Sequence, residues 1–432
     1  MHRTLSEWVD YIQTLHAREI ELSLERAREV YQRLYPSGVS FHVISIAGTN
    51  GKGSTAELLN SMYHQAGYSV GKYTSPHISR FNERYQIDRQ DVDDSALLEA
   101  FGRVEHHRQS TKLTFFEFGT LLAVELFEKA GVDIAMMEVG LGGRLDAVNI
   151  LPADLAIVTS ISLDHMAWLG DDVEQIGREK IGIARRGKPC VLGMSEPPAS
   201  VLEHTESLGI TPQVIEQNFS VRLHLSNTVA THWEWHAEDL VLEDLPLPYH
   251  QSNHQLSNAA VAVQAVQSLQ ELLPLEEDSI RKGIAAASVI ARCQVVSKKP
   301  HVVLDVAHNQ DSVAALSSFI RNLGVSGQTY AVCGMLADKQ IAETLAQLLP
   351  EVDHWYFATI NHPRGASAER IETLLTDHIA SHDPSSNSLQ SRLFPDVESA
   401  FLAAQHKLQR DDCLLVFGSF FIVSDIMPLI KK

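Results

Sequence analysis

FHVISIAGTNGKGS, residues 41–54, reads as a short buried strand, Phe41 to Ala47, running straight into a glycine-rich loop. Leu58, Leu59, Met62 and Tyr63 then follow at helical spacing, so the order is strand, glycine loop, helix. Gly48, Gly51 and Gly53 let successive backbone N–H groups turn toward one anion. The positive end of the following helix points at the same place, and Lys52 adds a mobile charge. Thr49 and Asn50 complete the loop, and Ser54 would offer a hydroxyl to Mg²⁺. The match to G-x-x-x-x-G-K-[ST] is imperfect, because Ile46 takes the first glycine position and Gly53 follows the lysine directly. The competing reading is a sharp strand-to-helix turn that is merely rich in glycine.

Outward from this loop the pattern stays α/β. Two amphipathic helices precede it, marked by Leu5, Trp8, Ile12 and Leu15 and by Leu24, Ala27, Val30, Tyr31 and Leu34. Apolar runs at 133–139 and 154–161 read as further parallel strands, with a helix over 116–129 before the first. Between 211 and 249 the polar–aromatic alternation (HWEWH at 232–236) predicts a small antiparallel insertion, followed by helices over 253–272 and 279–287. From Val302 onward, strands near VVLDV, TYAVCGM, HWYFAT and CLLVFGS alternate with helices, as a doubly wound parallel sheet does. The boundary is placed within 288–299, giving domains 1–290 and 291–432, an N-terminal phosphate-loop domain with a parallel sheet and a smaller Rossmann-like α/β domain. There is no internal repeat.

The 432 residues are 44% hydrophobic and 21% charged, which excludes disordered and fibrous classes. Lys plus Arg number 35 against 54 Asp plus Glu, a formal charge of -19 that argues against nucleic acid or anionic lipid as partner. Any anionic ligand must then be held by a local exception to that field. Cys190, Cys293, Cys333 and Cys413 lie far apart and suggest buried reduced thiols rather than disulfides or a zinc knuckle. The first ten residues are too polar for a signal peptide and no run reaches the ~18 apolar residues of a membrane span, so a cytoplasmic location is expected.

Two further constellations carry chemistry. Glu138, Asp164-His165 and Lys180 follow or lie between predicted strands, and ligands of parallel sheets gather outside the carboxyl strand ends. A carboxylate and an imidazole can hold Mg²⁺, which takes few protein ligands. Equally, Glu138 could cap a loop, His165 could bond only backbone, and Lys180 could pair with Glu179. In the second half, Asp305 and His308 end the VVLDV strand, with Arg292 before them and Asn258 in the long helix. Asp305 could accept from a ribose hydroxyl and Arg292 could reach phosphate, or the Asp and Asn here could simply cap a helix. Among the 21 histidines, His232 and His236 share a strand face with Glu234, but the pattern fits an exposed hairpin better than a zinc site.

Ten ordered segments resemble the bacterial folylpolyglutamate synthase/dihydrofolate synthase family of the Mur ligase superfamily: GTNGKGS, YTSPHISRFNER, TFFEFGTLLAVELF, EVGLGGRLDAVN, TSISLDHMAWLG, GREKIGIAR, LDVAHN, GMLADK, PRGASAE and VFGSF. With the glycine loop at residue 48, the extra N-terminal domain usual in cell-wall Mur ligases has no room. The resemblance implies a monomeric, ATP-dependent ligase joining L-glutamate to dihydropteroate or to a reduced folate through an acyl phosphate. It also implies two Mg²⁺ ions, one on Ser54 and Glu138 and one on Glu138, His165 and a carbamylated Lys180. Lys52 would cradle phosphates, Asn258, Arg292, Asp305 and His308 would contact nucleotide, and residues 291–432 would form the glutamate ligase domain. Leu22, Phe116, Asp146 and Ala147 would bind the pterin, with Ser75 and Arg80 in a loop beside the folate. The alternatives are the folylpolyglutamate activity alone, another Mur-type ligase, or a phosphotransferase or nucleotide switch, though no N-K-x-D base-reading motif is present. Three departures from the family pattern stand out: Ile290-Ala291 before Arg292, Gln310 after Asn309, and Phe421 where histidine is usual.

Overall fold

The computed structural model describes residues 3–18, 20–226, 229–249, 253–382 and 389–430, and the chain divides into two compact units, Met1–Ser288 and Val289–Lys432. Unit 1 opens with α1 (Leu5–Thr14), α2 (Glu25–Leu34), β1 (His42–Ala47) and α3 (Lys52–Gln65), then β2 (Val70–Tyr73), β3 (Tyr85–Ile87) and β4 (Gln90–Asp91). There follow α4 (Asp94–Arg108), α5 (Phe115–Ala130), β5 (Ile134–Glu138), β6 (Leu155–Val158), α6 (Met166–Leu169), α7 (Val173–Ile181), β7 (Cys190–Leu192), α8 (Ala199–Ser207) and β8 (Gln213–Val214).

The eight strands form one sheet in the order β4-β3-β2-β5-β1-β6-β7-β8, with β2, β5, β1, β6, β7 and β8 parallel. Its central strands β5, β1 and β6 are largely apolar because both faces are covered. Val43, Ala47, Met137 and Val158 pack on one side with α5 and its neighbours, while Ile44, Ile46, Met136 and Ile157 pack on the other with α3. The parallel pattern breaks at one edge, where β3 and β4 form an antiparallel hairpin through Asp88 and Arg89, both at positive φ. Asp88 fixes this turn by accepting from the Val70 N–H at 2.8 Å.

The insertion is a three-stranded antiparallel sheet of β9 (Phe219–Ser226), β10 (Val229–Ala237) and β11 (Leu240–Leu245). Its alternation puts Trp233 and Trp235 wholly inside, and Trp233 Nε1 donates to Pro246 O at 2.8 Å. The opposite face carries Glu234, which meets His224 and His236 at 2.8 Å each. Among the described residues, no group of three His, Cys, Asp or Glu side chains is placed to hold a metal ion. Helix α9 (Asn253–Ser268) ends four residues before the expected Leu272, and α10 (Glu277–Ala286) closes the unit.

Unit 2 contains β12 (Gln294–Lys298), β13 (His301–Leu304), α11 (Gln310–Leu323), β14 (Thr329–Cys333), α12 (Ile341–Ala346), β15 (His354–Ala358) and α13 (Ala368–His382). It ends with β16 (Ser391–Phe394), α14 (Val397–Gln405), β17 (Cys413–Phe417) and α15 (Phe420–Ile430). The sheet order is β12-β13-β17-β14-β15-β16, parallel except for β12, around a core of its own.

Candidate active site

The glycine loop is shaped by what lies against it. Gly48 has φ +151, and a Cβ there would stand 1.9 Å from Thr159 Oγ1. Gly51, at φ +89, is the N-cap of α3, and a Cβ would stand 2.4 Å from Asn258 Oδ1. Only glycine satisfies both demands. The loop is tied to the segment after β6: Thr49 N donates to Ser160 O at 2.8 Å, Asn50 N to Ser160 Oγ at 2.9 Å, and Thr159 Oγ1 to Asn50 O at 2.6 Å. Lys52 folds back over it, its Nζ 3.0 Å from Gly48 O. From α9, Gln255 Nε2 donates to the buried Ser54 Oγ at 3.4 Å, and Asn258 Nδ2 to Gln255 Oε1 at 3.4 Å. The tie through Thr159, Ser160 and Gln255 is not legible in the sequence beyond the small polar pair Thr159-Ser160 that follows β6.

Glu138 ends β5 with its carboxylate buried, accepts from Ser75 N at 3.0 Å, and lies 3.6 Å from where a Cβ on Gly53 would be. Parallel pairing places β1 and β5 side by side, so the glycine loop and Glu138 emerge from the same sheet edge. His165 adopts φ 52, ψ 37 at the start of α6, with its N–H donating to Asp164 Oδ1 at 2.8 Å. Lys180 is buried in α7, and burial together with the positive charge of Lys52 brings its amine down to about 7, against the opposing pull of Asp164 and Asp146. Its neighbour Glu179 pairs with Arg144 at 2.7 Å, not with Lys180.

The residues expected at the acceptor all lie in unit 1. Asp146 is buried as the N-cap of a short 3₁₀ turn beginning at Ala147, accepting from Val148 N at 3.0 Å, Leu141 N at 2.9 Å and Gly140 N at 3.1 Å. Burial nevertheless raises its carboxyl to about 7. The far edge of the Phe116 ring reaches this loop so closely that a Cβ on Gly140 would stand 2.5 Å from its Cζ. Leu22 is half-buried before α2. In the loop 75–84 the arginines divide. Arg80 is exposed and pairs with Asp94 at 3.0 Å, whereas Arg84 is buried and donates Nε–H to His77 Nδ1 at 2.8 Å. Burial and that guanidinium hold His77 down at about 4, so it accepts as a neutral ring.

In unit 2, Asp305 is buried at the end of β13, with its two oxygens accepting from Cys293 N and Ala307 N at 2.6 Å each. Burial raises its carboxyl despite the charge of Arg292, whose guanidinium lies 5.3 Å over the Phe420 ring. His308 Nδ1 meets Val306 O at 2.8 Å, and the cap of α11 is Asn309, accepting from Ser312 N at 3.0 Å. Asp305 therefore organises the 291–307 turns in addition to any ligand role. Gln310 bonds Gln340 at 3.1 Å, and the Phe421 ring lies tilted against His362 with centroids 4.5 Å apart.

Residues 46–266 match the Mur ligase middle domain, and residues 291–420 match the Mur ligase glutamate ligase domain. The dihydrofolate synthase/folylpolyglutamate synthase of Escherichia coli K12 is 41% identical over 99% of this chain and 95% of its own length. That of Haemophilus influenzae is 34% identical over 99% and 98%. The E. coli FolC structure in complex with DHPP and ADP superposes with TM-score 0.91 at 39% identity, covering 99% of this chain and 98% of that one. A bifunctional enzyme of the same name with Mn, AMPPNP and L-glutamate bound gives TM-score 0.88 at 39% identity, covering 100% and 98%. With both Mur ligase domains in order and such relatives spanning nearly its full length, the chain belongs to the dihydrofolate synthase/folylpolyglutamate synthase family of Mur ligases.

Proposed function

We infer that this protein is an ATP-dependent ligase that adds L-glutamate to dihydropteroate and to reduced folates by way of an acyl phosphate. The observation that carries the reading is the locked glycine loop with Lys52 and Ser54, set against the buried Glu138 on one sheet edge. A carboxylate is a poor electrophile with a poor leaving group. Transfer of the γ-phosphoryl group to its oxygen releases ADP and gives an acyl phosphate; the glutamate amine then attacks the carbonyl carbon and phosphate leaves. The loop N–H groups and Lys52 hold the phosphates. Asn258 in unit 1, and Arg292, Asp305 and His308 in unit 2, are assigned to the nucleotide; Leu22, Phe116, Asp146, Ala147 and the Ser75–Arg80 loop are assigned to the acceptor. Residues 291–432 are assigned to glutamate transfer.

Mg²⁺ fits the donors present. Ser54 and Glu138 are hard oxygen ligands already close to the loop, and a site with few protein ligands suits an ion that keeps waters and substrate phosphates. When bound, Mg²⁺ neutralises charge on the phosphoryl group. His165 and Lys180 are assigned to a second ion, and Lys180 can serve only as an anion, by adding CO₂ to its neutral amine with loss of a proton. An amine that titrates near 7 rather than 10.5 supports that carbamate. The four buried free thiols support the cytoplasmic assignment. Among the described residues no helix is long and apolar enough to cross a membrane. A monomer is the simplest assembly.

ADP release with ATP, glutamate and either dihydropteroate or tetrahydrofolate tests the reading. Release that ignores both acceptors contradicts it, and response to the folate alone reduces the activity to folylpolyglutamate synthesis.

A further inference from the structure

The acceptor residues Leu22 and Phe116 come from pieces of chain far apart in sequence, and one side chain joins those pieces. Arg26 lies in the first turn of α2 with its side chain 20% exposed. Its Nε donates to Glu117 Oε2 at 3.2 Å, and its Nη2 lies 3.0 Å from Glu117 Oε1 as an ion pair. Its Nη1 and Nη2 also donate to Glu21 Oε1 and Glu21 O, at 3.1 Å each. One guanidinium therefore grips the backbone next to Leu22 and the carboxylate next to Phe116.

The far partner is rigid. Glu117 is buried at the third position of α5 and closes a capping box, accepting from Thr114 N at 2.7 Å while Glu117 N donates to Thr114 Oγ1 at 3.3 Å. Phe116 in turn rests on Gly140, whose N–H is held by Asp146. The near partner is braced as well, since the second oxygen of Glu21 faces His16 Nε2 at 3.3 Å. The planar fork of arginine can make four such contacts at once; the single ammonium of lysine cannot.

We propose that Arg26 is the positioning residue of the acceptor site, setting the separation of the Leu22 and Phe116 walls through Glu21 and Glu117. The inference rests on the assignment of those walls to the acceptor under the proposed function. Loss of the fork lets the turn before α2 drift from α5, weakening acceptor binding while leaving the glycine loop untouched.

The test uses the full chain, with initial rates measured against dihydropteroate, ATP and glutamate in turn. Arg26→Ala is expected to raise the acceptor KM about tenfold or more, a scale set by sub-ångström misplacement, with kcat and the ATP KM within about twofold. Glu117→Gln keeps one oxygen for the Thr114 and Arg26 Nε–H groups but loses the charge and the oxygen facing Nη2, so it should move the acceptor KM in the same direction by a smaller factor, and Arg26→Lys should fall between wild type and Arg26→Ala. The double variant should be no worse than Arg26→Ala, because Glu117→Gln weakens the same linkage that Arg26→Ala removes. An unchanged acceptor KM in Arg26→Ala, or equal losses for all three substrates, overturns the proposal. Should Arg26→Ala fail to fold, Arg26→Lys and Glu117→Gln decide by the same criterion. A wild-type chain inactive on both acceptors would instead refute the proposed function itself.

Discussion

Two residues at the sheet edge give sharp outcomes. Gly48 has no room for a side chain, so Gly48→Ala must move Thr159 or the loop, and ATP-dependent turnover should fall at least about a hundredfold. Wild-type rates in that variant would mean that the loop does not hold nucleotide. Lys180→Ala should lose a similar factor while its thermal midpoint stays near wild type, because the amine it removes is buried at a cost; full activity would remove the carbamate proposal. His77 predicts an acid effect. Held near 4 in the fold against an ordinary 6.5, it keeps its full contribution above pH 6.5 and loses it as pH falls toward 4, because the unfolded chain takes up the proton first. After discounting for partial solvent access, the loss is about 1–2 kcal/mol. Denaturant unfolding of His77→Gln at pH 7 and pH 5 should show a smaller acid penalty than wild type; an equal penalty contradicts this. At this scale the glycine loop was legible because glycine spacing encodes backbone demands directly. Arg80 and Arg84 were not separable, since both flank the same short turn and only the packing of Phe81 and Phe115 draws Arg84 inward. Nor could sequence reveal that Asp305 spends both oxygens on backbone N–H groups.

Elements with strong periodicity were read nearly as they fold. The HWEWH alternation placed the tryptophans on one face and His232, Glu234 and His236 on the other, because a strand buried on one side has no other option. Trp233→Ala should therefore cost about 3–5 kcal/mol in chemical denaturation, for the lost burial and the cavity left behind, with kcat retained at permissive temperature. A cost under 1 kcal/mol would mean that the small sheet is not packed as described. The β3–β4 hairpin escaped notice because its strands are two and three residues long and its turn, Asp88-Arg89, carries no glycine. Left-handed conformations at those two residues are sustained by the Asp88 bond to Val70, a contact between segments 18 residues apart.

For the whole molecule, the charge of -19 means that the proposed substrates, anions through their own phosphates and carboxylates, approach an acidic protein. On the proposed reading attraction is local, from the loop N–H groups, Lys52, Arg292 and Mg²⁺. Turnover should rise steeply with Mg²⁺ and vanish in excess chelator; a substantial rate in chelator would contradict the charge argument. The α/β class and the order of strands and helices were visible in the sequence because alternating β and α segments prescribe a parallel sheet. The link between Arg26 and Glu117 was not, since it joins chain segments nearly a hundred residues apart. The central claim, amide ligation of glutamate to a pterin carboxylate, is tested most directly by mass spectrometry of products after incubation with ATP, Mg²⁺, glutamate and either dihydropteroate or a reduced folate monoglutamate. The account predicts a product heavier by one glutamyl residue in both reactions, with one ADP formed per bond. ADP formed without any glutamylated product would contradict it.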